Sequence, residues 1–166
     1  MTVGFGAQGF EIAIYIANRP SIEPYPTLDH LRPLSSGEIK HIADQTGNHW
    51  RKIFNVSAKF LFELQGNVEF KTWQMLRDQS LYQAASPMAL LFSKPDLAEP
   101  NRIHIIAGKT YAQELGLENL LWLDPYFAID KSRKLIVCPY LDYRQLSNSR
   151  ISQLVGLVKN LIAESD

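Results

Sequence analysis

Apolar residues along this chain arrive in two rhythms, and the change from one to the other predicts where strands give way to helices. Phe10 to Ala17 reads FEIAIYIA, a short run rich in Ile and aromatic residues that stops at Asn18-Arg19-Pro20. Such a run predicts a strand, and its scarcity of polar positions predicts burial on both faces. Arg102 to Ala107 and Lys134 to Cys138 read the same way, and Leu120 to Leu123 predicts a further strand halted by Asp124-Pro125. Met88 to Phe92 is too short for periodicity to separate a strand from one helical turn.

The second rhythm has spacings of three and four. Ser35-Ser36-Gly37-Glu38 carries the spacing of a capping box and predicts a helix running to about Gly47. Asn48 then predicts the start of a second helix, in which Trp50, Ile53, Phe54, Ser57, Leu61 and Leu64 share one face before Gly66 ends it. A third helix is expected over Val68 to Gln83, a short one over Thr110 to Leu115, and a last one with a stripe of Ile151, Leu154, Val155, Val158, Leu161 and Ile162, capped by Ser147, Asn148 or Ser149. The stretch holding Pro20, Pro24, Pro26 and Pro33 predicts an ordered loop or a cover over a cleft, since neither helix nor central strand tolerates that proline density.

Strands separated by helices predict an α/β fold: one three-layer α/β/α domain over residues 1–166, with a mainly parallel central sheet. In such sheets ligands sit beyond the carboxyl ends of the strands. That directs attention to Asn18 onward, to Gly108 to Tyr111, and to Pro139 to Arg150.

Composition narrows the function classes. Lys plus Arg equals Asp plus Glu at 17 each, so no global field draws the chain to nucleic acid or an anionic membrane, and any such contact must be local. A single cysteine, Cys138, rules out an internal disulfide framework and suits a reducing compartment. With no leader-like segment and no run approaching about 18 apolar residues, a cytoplasmic protein without a membrane partner is expected.

The motifs are mostly negative. Ala107-Gly108-Lys109-Thr110 lacks the glycine that a phosphate loop needs five residues before Gly108, because Ile103 stands there. Gly4, Gly6 and Gly9 have dinucleotide-fingerprint spacing but precede a strand instead of following one, so a flexible N-terminal lead is expected. His30, His41, His49 and His104 form no metal-ligand pattern with one another or with Cys138, and no metal or cofactor is implied. His104 reads as a satisfied core histidine and Cys138 as a small buried hydrophobe, the alternative being a thiol nucleophile. Tyr140, Asp142, Tyr143, Arg144 and Arg150, with Lys131, Arg133 and Lys134 before the strand, combine aromatic faces and cations that suit stacking a base or holding a phosphate. A solvated loop capping the last helix accounts for the same residues.

In order along the chain, a first strand enters Asn18-x-Pro20, a later one enters Ala107-Gly108-Lys109-Thr110-Tyr111-Ala112, and a final one enters Pro139-Tyr140-Leu141-Asp142 before a long terminal helix. This arrangement resembles the uracil-DNA glycosylase superfamily. The resemblance implies a glycosylase-like fold with a cleft for a nucleobase, nucleotide or nucleic acid. In that family the first loop places or activates the water that cuts the glycosidic bond, which makes Asn18 the candidate here. The last loop normally brings a His-Pro-Ser type sequence to the base, and Tyr140 stands where that His would be, so catalysis is left open. Asn18 and Tyr140 are thus the candidate catalytic pair, and Lys109, Asp142, Tyr143 and Arg144 the candidate substrate contacts. The rival expectation is a non-enzymatic protein-interaction module that uses the proline-rich loop and exposed aromatics.

Overall fold

The computed structural model describes residues 1–66, 68–99 and 101–164. Its core is a row of co-directional strands: β2 (Ile12–Tyr15), β4 (Met88–Leu91), β5 (Ile103–Ala107) and β8 (Leu135–Cys138). β4 and β5 flank β2 in parallel, and β8 continues the row beside β5. Met88 to Leu91 is therefore a strand. Its N–H and C=O groups are satisfied by neighbours on both sides, an arrangement that one helical turn does not offer.

Both flanks of the row are antiparallel, which makes the sheet mixed around a parallel centre. At one end β1 (Gly4–Phe5) runs against β4 and is joined by β3 (Leu31–Arg32). At the other, β7 (Ala128–Asp130) runs against β8 and carries β6 (Leu121–Trp122) at the edge. The complete order is β3-β1-β4-β2-β5-β8-β7-β6. The expected N-terminal lead is thus corrected. Phe5 is fully buried, and Gly4 and Gly6 are needed because a Cβ on either would press into β4, at 2.2 Å from the Leu90 carbonyl oxygen and 2.7 Å from the Ala89 Cβ.

The strand side chains divide with a period of two, although the sequence shows almost no polar alternation. Ile12, Ile14, Ile105 and Ile136 enter one core with Phe54, Phe60 and Val158, while Ala13, Tyr15, Ile106 and Val137 enter a second with Ala112. The first face is covered by α1 (Glu38–Thr46), α2 (Asn48–Gln65), α3 (Trp73–Gln79) and α5 (Asn148–Glu164). α2 lies in the middle and packs on α1, α3 and α5. The second face receives the short α4 (Lys109–Glu114) and the segment that carries Leu115, Leu117 and Leu120. Helices do lie on both faces, but very unequally.

Several local expectations shift for physical reasons. The capping box forms by half: the Glu38 carboxylate accepts from the Ser35 amide at 2.9 Å, while Gly37 occupies the cap position without a side-chain bond. The third helix is shorter than Val68 to Gln83 because Thr72 caps it, accepting from the Met75 amide at 3.2 Å. On α5 the buried stripe excludes Ile162, which is exposed. The proline-rich loop is ordered: Arg19 donates to the carbonyls of Tyr25, Pro26 and Leu28, and the Tyr25 hydroxyl donates to Glu38 at 2.6 Å. Among the described residues, no helix is long and apolar enough to cross a membrane.

Candidate functional site at the carboxyl ends of the parallel strands

Because β2, β4, β5 and β8 run the same way, Asn18, Phe92, Gly108 and Tyr140 all follow strand ends on one rim. The antiparallel β7 starts at this rim too, so the turn between β6 and β7, with Asp124 and Tyr126, is carried to it. The Gly108 amide donates to the Cys138 carbonyl at 2.8 Å, which ties the ends of β5 and β8 together.

Tyr140 is the most constrained of the candidate residues. Its ring lies against Gly108, where a Cβ would sit 3.7 Å from it. It stacks on His49 with centroids 5.8 Å apart, and its hydroxyl is 2.9 Å from the His49 Nε2. Burial, with a smaller contribution from the Asp142 carboxylate, pushes the phenol up to about 12. It therefore keeps its proton at neutral pH, and its hydroxyl shares one hydrogen bond with the His49 Nε2.

The other candidates surround this pair. Lys109 is exposed, with its ammonium 4.8 Å from the centre of the Trp122 ring. The exposed Tyr143 ring faces Lys52 at 5.1 Å and Arg144 at 5.7 Å, and Asp142 pairs with Lys52 at 3.9 Å. Asp142 also accepts from the Arg144 amide at 2.8 Å, so part of its work is to shape the loop. Farther along the rim the Arg150 guanidinium lies 3.6 Å from the Tyr126 ring centre. Asp124 accepts from Gln153 and from the amides of Tyr126 and Phe127, and these bonds hold its carboxyl below the usual range. Cations on aromatic faces thus recur along one edge of the sheet.

Asn18 stands apart. It is exposed just beyond β2, and β5 lies between it and Tyr140, a separation of about 10 Å at the usual strand spacing. Its side chain makes no hydrogen bond to a described residue. Lys131, Arg133 and Lys134 precede β8 and so lie at the far end of the strand, where Lys131 pairs with Glu164 at 3.3 Å and Arg133 donates to the Glu118 carbonyl. They cannot extend the rim's positive charge. Cys138 is buried, and desolvation pushes its thiol up to about 12, so no thiolate nucleophile is available at neutral pH.

Sequence reasoning missed His49, which was weighed only as a metal ligand. Its position in the first turn of α2, after the break at Gly47, was the available signal, because a helix start in an α/β layer lies near one rim of the sheet. Among the described residues, no group of three or more His, Cys, Asp or Glu side chains is arranged to hold a metal ion. Two cavities, of about 610 and 570 Å³, lie among the helices, and neither is lined by a strand-end residue.

A family model described as "Family of unknown function (DUF6942)" matches residues 3–159. No curated protein and no solved structure matches the chain.

Proposed function

The chain belongs to DUF6942, a family of unknown function, and from that premise we propose that it binds a nucleobase, free or within a nucleotide or strand, at the carboxyl rim of its parallel strands. The observation that carries this reading is the Tyr140 and His49 pair, a half-buried phenol held protonated beside Gly108 and flanked by exposed aromatic rings with cations on their faces. Aromatic faces accept any base by stacking, and neighbouring cations suit the phosphates. The phenol can exchange its hydrogen bond with His49 for one to a base oxygen or nitrogen.

The glycosylase-like character belongs to the same proposal. It is supported by the resemblance of the strand-end segments and by the shared rim of Asn18, Gly108 and Tyr140. A neutral phenol stabilises a departing base anion less than a cationic donor does, so slow base release, or binding alone, is the expected behaviour.

The test incubates the purified protein with uracil-containing and mismatched duplexes and with single strands, following free base by chromatography and binding by fluorescence anisotropy. Binding that weakens with salt and falls at least tenfold in Tyr140→Ala supports the reading; no base release together with no salt-sensitive binding to any strand overturns it. A protein-interaction surface is the second reading, favoured by the exposed Leu121, Trp122, Leu123 and Tyr126 around β6. Under that reading, a partner protein and not a nucleic acid protects the amides of 121–126 from exchange.

A further inference from the structure

We propose that the cleft enclosed by α1, α2 and α3 is a second binding site, for a small organic anion with an apolar body. It shares no residue with the strand-end rim, so the two readings stand or fall separately.

The cleft has a volume of about 610 Å³, well inside the range of roughly 300–1,000 Å³ typical of small-molecule sites. Its floor is apolar: Ile39 and Ala43 from α1 and Phe54 from α2 are all buried side chains that also line the cavity. Its walls are charged, and the charges do not balance. At one end Asp44 accepts from Lys40 at 2.6 Å and from Arg51 at 3.2 Å, so a single carboxylate serves two cations. At the other end Arg77 donates to Asn55 at 2.8 Å and to both Asp78 carboxylate oxygens, an even pairing. The surplus positive charge therefore sits at the Lys40 and Arg51 end.

That distribution selects the ligand. Each cleft carboxylate already faces a cation, so an entering cation would meet three like charges and no free partner. An anion meets Lys40 and Arg51 with donors in excess of what Asp44 and the Asn48 amide oxygen, 3.0 Å from Arg51, consume. Asp44 and Asn48 also fix the Arg51 guanidinium before a ligand arrives, which lowers the ordering cost of binding. The apolar floor beneath this pole calls for a ring or chain attached to the charged group. A bare inorganic anion would leave Ile39, Ala43 and Phe54 facing water.

Two fluorescent dyes separate these features. One is 8-anilino-1-naphthalenesulfonate, an aromatic ring system with an anionic group; the other is N-phenyl-1-naphthylamine, the same rings without the charge. The folded protein is expected to bind the sulfonate dye at one saturable site, at least tenfold more tightly than the uncharged dye. Arg51→Glu should weaken the sulfonate dye at least tenfold and leave the uncharged dye within twofold. Lys40→Glu, at an exposed position, should act in the same direction and serves if thermal unfolding shows Arg51→Glu to be misfolded. Trp122→Ala, on the rim, should change neither dye. Equal affinity for the two dyes, an anionic dye indifferent to both charge reversals, or loss of binding in Trp122→Ala would overturn the proposal.

Discussion

At the scale of single residues, His104 shows how burial sets a protonation state. It sits in β5 with the Tyr15 hydroxyl 2.8 Å from Nδ1 and the Glu99 carbonyl 3.4 Å from Nε2. Burial raises the Tyr15 phenol, so it stays protonated and donates to Nδ1, leaving the imidazole proton on Nε2 toward Glu99. Desolvation lowers the His104 pKa; Arg102 nearby acts in the same direction, while Glu99 and Asp96 oppose it. In the unfolded chain the imidazole takes up a proton near pH ~6.5, whereas the folded one resists. Stability contributed by His104 is therefore complete above about that pH and is lost as pH falls toward the lowered folded value. Urea unfolding of the wild type between pH 7.5 and 5 should show this acid-side decline, and His104→Gln should flatten it while lowering stability at pH 7.5. Gly4 presents a purely steric case. A Cβ there would lie 2.2 Å from the Leu90 oxygen and 2.8 Å from the Leu91 Cα, both backbone atoms that cannot rotate away. Gly4→Ala should cost about 3 kcal/mol in denaturant unfolding. Gly9→Ala, at φ 83° but with open space around it, should cost only about 1 kcal/mol.

At the scale of elements, the periodic helices and the apolar strand runs were legible, and the two-residue strands near the start of the chain were not. The interior face of α2 could be traced from Trp50 to Leu61 because eighteen residues repeat the helical period several times. The strands β1 and β3 have two residues each, a single repeat of the strand period, and exist because neighbours pair with them, whereas the equally short β6 falls inside the strand expected over Leu120 to Leu123. α3 shows the intermediate case: its apolar positions were visible, but its start is decided by the Thr72 side chain rather than by hydrophobic spacing. Thr72→Ala should therefore destabilise the protein by about 1 kcal/mol, with faster amide exchange confined to 73–79. A uniform acceleration across α2 as well would show that the cap does not act locally.

At the scale of the whole molecule, the direction of the parallel strands was readable and their neighbours were not. Strand and helix alternation placed the strand-end loops on one rim, which brought Tyr140 and Gly108 to attention from the chain alone. Nothing local in the sequence could show that His49, 91 positions before Tyr140, would share a hydrogen bond with it. Nor could it show that β7 reverses direction, which lifts Asp124 and Tyr126 to the rim while leaving Lys131, Arg133 and Lys134 at the opposite end. Pairing between distant segments depends on the assembled sheet and on loop closure, quantities that a window of a dozen residues does not carry. A chain of zero net charge still gathers Lys52, Lys109, Arg144 and Arg150 at one edge, against Asp124 and Asp142. Local sign, and not the total, governs what that edge attracts.

The first few residues belong to that same global order. β1 is wedged between β3 and β4, and Val3 is fastened to the segment just after β4 through both its backbone groups, its amide to the Ser93 hydroxyl and its carbonyl to the Phe92 amide. Shortening the chain by half a dozen residues at its start would not trim a loose tail. It would cut β3 adrift and bare the hydrogen-bonding edge of β4 beside Leu90 and Leu91, leaving a slot that a stray extended peptide, or another copy's equivalent segment, is chemically equipped to fill.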